Sequence, residues 1–375
     1  MKIALVGGGT AGHIVPNQVI SQSISGLEPT WQVFFISSNS GFEKDLFKNT
    51  LAPVYYISSG KLRRYFDIKN FSDPFKILLG VFQSVKILHK HKPDIVFLKG
   101  GFTCVPVGLA CRILRIPFVI HESDASLGLA NKILSLFTKH VWYSSLSFKS
   151  PKSNFLHIQL PLKADLKQGD AKAFMKKHSL STQKPSLLVI GGSSGAKALN
   201  DFIFANFKTL IRKFNIIHVL GKINVPENIP RDPSYLTFDF LPNLKDVYAT
   251  ADYVLSRAGA ITLQELEEVS LKAILVPLPD SQSRGDQQLN AQDFVSRNPG
   301  EIVEQSQLTL TSFQTAIQNL DQLSTGSKQS KTNNPKHSGP HSGKHCAKHS
   351  GPHSGKRRAH LKARIFLTAL KKVLS

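Results

Sequence analysis

The sequence predicts an α/β protein of two doubly wound parallel-sheet domains, followed by a basic low-complexity segment and a C-terminal helix. Three observations predict it. Short apolar, β-branched runs alternate with longer mixed segments, as in parallel sheets covered on both faces by helices. The pattern starts twice, each time with a strand that runs straight into a glycine-rich turn. The chain has 375 residues, enough for two domains of about 150 residues with an appendage. Hydrophobic residues make up 41% and charged residues 19%, which supports a sizeable core and excludes disorder throughout.

The first array has strands at Ile3 to Val6, Val33 to Ile36, Val54 to Ile57, Ile95 to Leu98, Phe118 to Ile120 and Val141 to Tyr143. The second has strands at Ser186 to Ile190, Ile216 to Leu220, Leu236 to Phe238, Tyr253 to Leu255 and Ala273 to Val276. Between them, Lys163 to Lys184 is polar and lacks strand signals, so the domains are placed at residues 1–163 and 164–325. Such a pair encloses a cleft at the carboxyl ends of both sheets. Beyond about Ser324 the composition changes. KHSGPHSGK occupies Lys336 to Lys344 and recurs at Lys348 to Lys356, so residues 326–356 are expected to be disordered. Histidines 337, 341, 345, 349 and 353, with Cys346 among them, read as a flexible spacer or as an adventitious metal tract. Residues 357–375 carry an apolar stripe of Leu361, Ile365, Phe366, Ala369, Leu370, Val373 and Leu374 among basic residues, which predicts an amphipathic helix. That helix could return to the first domain, contact a membrane or act as a nucleic-acid arm.

Net charge is +22, and the final 50 residues contain 12 Lys or Arg and no Asp or Glu. Nucleic acid and an anionic membrane both suit such a chain. The longest apolar run, Ile77 to Phe82, falls far short of the ~18 residues of a spanning helix. The apolar start, Met1 to Val6, is too brief for a signal peptide. Cys104, Cys111 and Cys346 form no disulfide framework, so a reducing cytoplasm is expected. Lys61, Arg63, Arg64, Lys69 and Lys76 are interleaved with Tyr65, Phe66, Phe71, Phe75 and Ile77 to Phe82. This reads either as a core helix with a charged face or as a docking face for an anionic bilayer.

Gly7, Gly9 and Gly12 complete G-x-G-x-x-G after the first strand. A dinucleotide site would need an acidic residue about 20 positions on. Ser37, Ser38 and Asn39 stand there instead, which argues against NAD. His13 follows the turn and could take a proton as a neutral imidazole, or simply cap and pack the helix. In the second turn, Gly191 to Gly195, the backbone N–H groups with Ser193 and Ser194 suit a phosphate. The alternative is a tight turn without a ligand. A third cluster comprises Ser256 to Ala260, Glu265, Glu267, Glu268 and Asp286 to Ala291. Carboxylates and amides at strand ends can hold sugar hydroxyls, or can be solvated surface.

Together the motifs resemble those of the MurG family, N-acetylglucosaminyltransferases that complete lipid II in bacterial cell-wall synthesis. The resemblance rests on Gly8-Gly9-Thr10-Ala11-Gly12-His13-Ile14-Val15-Pro16, Gly100-Gly101-Phe102, His121-Glu122 and Gly128 to Lys132. It continues through Gly191 to Ala196, Ser256 to Thr262 with Glu265, and Gln287 with Asn290-Ala291, and covers about residues 1–305. It implies a GT-B fold and inverting transfer of N-acetylglucosamine from UDP-GlcNAc to the 4-hydroxyl of the muramoyl sugar of lipid I. It also implies peripheral attachment to an anionic surface, the cytoplasmic face of the inner membrane, with no nucleic acid partner. For the donor it implies Gly192, Ser193 and Gly195 at the phosphate, Glu265 at the ribose, Gln287 and Asn290 at the sugar, and Arg257 and Lys163 nearby. For the acceptor it implies Thr10, Gly12, His13, Glu122 and Asn131. His13 is the candidate base. A helix N-terminus with Ser193 can stabilise the leaving diphosphate, so no cofactor or metal is expected to be required.

The sequence departs from the family at four places. Ala11 replaces a glycine. Asp124 replaces an asparagine and is expected to act as a second base or to repel the acceptor diphosphate. Lys163 replaces an arginine, and Asp286 a histidine or glutamine. Two other readings remain: another UDP-sugar transferase or epimerase, and a non-catalytic binding protein tethered by its basic tail.

Overall fold

A computed structural model describes residues 1–39, 41–60, 69–148, 152–221, 228–280, 283–329 and 352–374. Contacts divide the chain into two units, Met1–Lys163 with Arg358–Ser375, and Ala164–Arg357.

The first unit runs β1 (Lys2–Val6), α1 (Ala11–Leu27), β2 (Gln32–Ser38), α2 (Gly41–Phe47), β3 (Val54–Ile57), α3 (Lys69–His91), β4 (Ile95–Leu98), α4 (Cys104–Leu114), β5 (Phe118–Glu122), α5 (Leu129–Leu134), β6 (Val141–Tyr143) and β7 (Leu156–His157). Its seven-stranded sheet has the order β3-β2-β1-β4-β5-β6-β7, with every neighbouring pair parallel. Ile3 pairs with Val33 on one side and Ile95 on the other. Successive side chains on a strand face opposite ways, so a strand buried on both faces is apolar throughout. Ala4, Val6, Val96, Leu98 and Ile120 share one core with Leu88 of α3 and Cys104, Val107 and Ala110 of α4.

The second unit runs α6 (Ala171–Lys177), β8 (Ser186–Ile190), α7 (Lys197–Ala205), α8 (Phe207–Lys213), β9 (Asn215–Val219), β10 (Tyr235–Phe238), α9 (Lys245–Thr250), β11 (Tyr253–Ser256), α10 (Ala260–Val269), β12 (Lys272–Leu275), α11 (Asp286–Val295), β13 (Gly300–Ile302) and α12 (Leu310–Gln329). Its six-stranded parallel sheet has the order β10-β9-β8-β11-β12-β13. Leu187, Val189, Ile216, Leu255 and Ile274 pack with Leu199 and Phe202 of α7 and Phe313 of α12.

The last helix, α13 (Pro352–Leu374), belongs largely to the first unit. Ala359, Ala363, Phe366, Leu367 and Leu370 are buried. The Phe366 ring meets Phe97 and Trp142 edge-on, at centroid distances of 5.0 and 5.5 Å. Lys371 closes on Glu28 at the end of α1, at 2.6 Å. Two expectations change here. Residues 326–329 continue α12 and residues 352–356 open α13, so neither end of the 326–356 segment is unstructured. Residues 330–351, with the whole first copy of the repeat and the first four residues of the second, lie outside the described residues.

Both sheets reverse their winding between the first and fourth strands, β1/β4 and β8/β11. At such a switch point the helices after two adjacent strands leave toward opposite faces and open a crevice at the carboxyl ends. The glycine turns lie there in both units.

Candidate active site

In the first unit, the turn after β1 lies against the turn after β4. Gly101 has φ +83°, and a Cβ on it would sit 2.4 Å from the Gly8 carbonyl oxygen and 3.0 Å from His13 Nδ1. Only glycine lets these two loops touch. Below them, the buried carboxylate of Glu43 on α2 accepts Gly9 N–H at 2.8 Å, Ser38 N–H at 2.8 Å and the hydroxyls of Ser37 and Ser38. The strand end where a dinucleotide-binding fold would place its ribose acid is therefore spent on holding the glycine turn.

His13 lies in the first turn of α1. Its Nδ1 donates to the Gly8 carbonyl at 2.9 Å and lies 3.3 Å from Thr10 Oγ1. A carbonyl only accepts, so this bond places the proton on Nδ1 and the lone pair of the neutral ring on Nε2. Burial, then the positive charge of Lys99, pull its pKa down to about 4, against the opposing pull of the Gly8 carbonyl. The ring is thus uncharged at neutral pH.

After β5, the Glu122 carboxylate accepts Ser123 N–H (3.0 Å), Asp124 N–H (3.2 Å), Gly128 N–H (2.8 Å) and Asn131 Nδ2 (2.9 Å). Asn131 also donates to the His121 carbonyl at 3.1 Å, and its Oδ1 is buried without a partner among the described residues. Glu122 therefore shapes the loop that presents its neighbours. His121 is turned into the sheet, with Nε2 3.0 Å from both the Ile158 carbonyl and Ser144 Oγ. Burial keeps its pKa well below the usual histidine value. Gly12 follows Thr10 at the start of α1. Asp124 is half-buried on the same loop as Ser123.

In the second unit, β8 passes through Gly191 to Gly195 into α7. A Cβ on Gly221 would lie 2.1 Å from Gly195 Cα, so the phosphate-type turn is backed by a second glycine after β9. Gly192 and Ser194 are exposed and Ser193 half-buried. Below the turn runs a buried chain. Tyr235 OH lies 2.9 Å from His218 Nδ1, His218 Nε2 lies 3.0 Å from Asn200 Oδ1, and Asn200 Nδ2 donates to the Leu220 carbonyl at 3.1 Å. Glu265 on α10 accepts a 2.8 Å hydrogen bond from Tyr248 OH. Gln287 Oε1 accepts Leu278 N–H at 3.0 Å, and Asn290 Nδ2 reaches the Ala258 carbonyl at 3.4 Å. Asp286 forms a 2.7 Å ion pair with Arg284, so the charge introduced at that departure from the family is neutralised locally.

Arg257 is committed within its own unit. Its guanidinium donates to the carbonyls of Val276 (3.0 Å) and Pro277 (3.3 Å) and to Gln305 Oε1 (2.6 Å). That ties the ends of β11 and β12 together. Lys163 is the last residue of the first unit, whereas the other candidate donor residues lie in the second. Three groups of the site went unnoticed in the sequence: Glu43, Tyr248 and Lys99. Lys99 had a usable signal, a charge directly after the fully apolar strand Ile95–Leu98 and before two glycines. Glu43 and Tyr248 had none, because Glu43 reaches the Gly9 turn from 34 residues away and Tyr248 reaches Glu265 from 17.

Two parallel-sheet Rossmann-like lobes, each carrying a glycine turn at its switch point, define the GT-B class of glycosyltransferases. Residues 3–143 match the glycosyltransferase family 28 N-terminal domain and residues 186–345 its C-terminal domain. A transferase of Clostridium botulinum (strain Alaska E43) is 40% identical over 311 residues, covering 82% of this chain and 86% of its own. Its counterpart in Clostridium perfringens (strain 13) is 40% identical over 341 residues, covering 89% and 95%. Both are named UDP-N-acetylglucosamine–N-acetylmuramyl-(pentapeptide) pyrophosphoryl-undecaprenol N-acetylglucosamine transferase. The crystal structure of Acinetobacter baumannii MurG is similar at 27% identity and TM-score 0.61, covering 85% of this chain and 90% of that one. The UDP-GlcNAc 2-epimerase of Methanocaldococcus jannaschii shares the fold alone, at 12% identity and TM-score 0.56 over 86% and 92% of the two chains. The chain belongs to glycosyltransferase family 28 and, within it, to the MurG enzymes.

Proposed function

We propose that this chain transfers N-acetylglucosamine, with inversion, from UDP-GlcNAc to the 4-hydroxyl of the muramoyl sugar in lipid I, forming lipid II. The relatives' names supply the substrates. The observation that carries the chemistry is His13, a neutral imidazole with Nδ1 fixed by Gly8 and a lone pair on Nε2. An inverting displacement needs such a group to take the acceptor proton as the new bond forms. In this reading Thr10, Gly12, Glu122 and Asn131 build the acceptor site. Ser193, Gly192 and Gly195 at the start of α7 meet the donor diphosphate, where N–H groups and the helix dipole favour developing negative charge. Glu265, steadied by Tyr248, holds the ribose, and Gln287 and Asn290 meet the sugar. Arg257 acts by bracing the donor site. The test is UDP release by the purified chain. Release that requires both UDP-GlcNAc and a lipid I analogue supports the reading. Release that ignores the acceptor contradicts it.

The leaving diphosphate is stabilised here by N–H groups and hydroxyls, so we include in the proposal that no metal cofactor is required. Turnover in excess chelator is then expected to match the untreated rate. A loss restored by Mg²⁺ would remove that part.

We also assign the first unit to the cytoplasmic face of the bacterial inner membrane. Phe75, Leu78, Leu79 and Phe82 of α3 are 74, 66, 49 and 70% exposed. Their spacing places them on one helical stripe, next to Lys76. An apolar stripe of this kind beside cations suits insertion at an anionic headgroup boundary. No described helix is long and apolar enough to cross a membrane. The basic and aromatic residues at 61–66, which belong to the same expectation, lie outside the described residues. Replacing Phe75 and Phe82 by serine removes about 3 kcal/mol of apolar insertion, roughly a 100-fold weaker partition into anionic liposomes. A flotation assay reads this. Unchanged flotation would rule the stripe out as the docking face.

A further inference from the structure

The second unit holds a buried imidazole that the reaction above does not use. His218 lies on β9, pairs across the sheet with Val189 of β8 and Thr237 of β10, and is fully buried. Burial lowers its pKa to about 3, so the ring is uncharged and offers one donor and one acceptor. Its neighbours fix which nitrogen does which. Asn200 Nδ2 donates to the Leu220 carbonyl at 3.1 Å, and a carbonyl only accepts, so this bond sets the orientation of the amide. Asn200 Oδ1 then faces His218 Nε2 at 3.0 Å, which places the ring proton on Nε2. The lone pair is left on Nδ1, and Tyr235 OH donates to it at 2.9 Å. Tyr235 and Asn200 are buried as well. All three donors therefore point the same way, from β10 through β9 to α7 and on to the residue that follows β9. Buried hydrogen bonds joined in this way reinforce one another.

The place where the chain ends gives it a role. The Leu220 carbonyl lies against the glycine turn after β8. A Cβ on Gly195 would sit 2.1 Å from that oxygen, and one on Gly221 would sit 2.1 Å from Gly195 N. Gly192, Gly195 and Gly221 have φ of +86, +80 and +88°. Glycine adopts such angles freely, so a turn built from it has little stiffness of its own and takes its shape from what is packed behind it.

We propose that Tyr235, His218 and Asn200 form a positioning relay for the donor diphosphate: they hold the Leu220 carbonyl and, through it, keep the Gly191 to Gly195 turn in the shape that receives the phosphates. The inference rests on the reading that this turn meets the donor, and it adds residues that act from behind the turn. Removing the imidazole takes from Asn200 Oδ1 the donor that fixes the amide, so Nδ2 no longer holds Leu220 in place.

The experiment uses the full-length chain with His218→Leu, His218→Gln and Tyr235→Phe. Leucine fills the space without a donor, whereas the glutamine amide carries both a donor and an acceptor. Calorimetry reads UDP binding. NMR reads hydrogen exchange at Gly195 N–H, which is bonded to the Gly192 carbonyl, with Val276 N–H, bonded to the Ser256 carbonyl, as the reference. His218→Leu is expected to weaken UDP binding at least 5-fold and to raise donor KM in parallel, with acceptor KM within 2-fold. Exchange at Gly195 should quicken at least 5-fold while Val276 is unchanged. His218→Gln should return both readings to within 2-fold of the unaltered chain. Tyr235→Phe, which removes only the outermost donor, should fall between the two. A merely structural histidine would instead loosen Gly195 and Val276 together. That result, or unchanged UDP binding and Gly195 exchange in His218→Leu, would overturn the proposal. If His218→Leu fails to fold, Tyr235→Phe and His218→Gln decide on the same readings. A wild-type chain that does not bind UDP would contradict the donor-site reading, whereas the exchange at Gly195 would still show whether the relay sets the turn.

Discussion

His13→Ala is expected to lower kcat by roughly 10²–10⁴-fold, the range supplied by a positioned general base. KM for UDP-GlcNAc should change little, since the candidate donor residues other than Lys163 lie in the other unit. The effect follows from geometry more than from residue type. Nδ1 is held by the Gly8 carbonyl at 2.9 Å, which fixes both the ring orientation and the tautomer. A glutamine at this place would keep a polar group but could not accept a proton, so His13→Gln should be as inactive as the alanine variant. The pH dependence has a definite sign. The neutral ring is the active form and its folded pKa lies at about 4, so activity attributable to His13 persists as pH falls below 6.5 and is lost only near pH 4. The profile of kcat/KM against pH reads this, because it reports the free enzyme. The same shift bears on stability. Between pH 6.5 and 4 the unfolded chain binds a proton at this site that the folded chain does not, so stability falls as pH drops through that window. A His13→Ala variant with wild-type kcat would show that another group takes the proton.

Phe366→Ala is expected to destabilise the first unit by about 3–5 kcal/mol. The side chain is 1% exposed and meets two large buried rings edge-on. Truncation would open a void between Phe97 and Trp142 that neither ring can fill without leaving its place in the sheet. Domains are stable by only about 5–15 kcal/mol, so this is a large share of the total. The expected result in urea is an earlier unfolding transition and loosening of α13. Leu361→Ser, at an exposed position of the same helix, should shift the midpoint little. Equal midpoints for Phe366→Ala and the unaltered chain would mean that α13 is not part of this core.

Particular residues show how much of this was legible in advance. Strands such as Ile95–Leu98 and Ser186–Ile190 stood out because a parallel strand covered on both faces must be apolar throughout. The strands β7 and β13 did not. They are two and three residues long, and Leu156–His157 and Gly300–Ile302 carry neither an apolar run nor alternation. The stripe on α13 showed that one face is buried, but periodicity cannot name the surface that covers it. The placement of Phe366 against Phe97 and Trp142 bears out the first of the three readings of that helix, its return to the first domain. In the site, the glycine turns and His13 were visible because both are local to one strand–turn–helix unit. The service performed by Glu43 was not, since it joins Gly9 to Ser37 and Ser38 across the fold. Asp124 and Asp286 looked like similar departures from the family pattern. The structure separates them: Asp286 forms an ion pair with Arg284, whereas Asp124 sits on the loop held by Glu122, which accepts its N–H at 3.2 Å.

The measurement that bears most directly on the account is the identity of the product. The purified full-length chain would be incubated with labelled UDP-GlcNAc and a lipid I analogue, and the labelled sugar characterised by NMR. The account predicts a disaccharide joined through the 4-hydroxyl of the muramoyl sugar, with the anomeric centre inverted from α to β, and one UDP per linkage formed. Retention at that centre, conversion of the donor to its 2-epimer, or label recovered only as unreacted donor would contradict it.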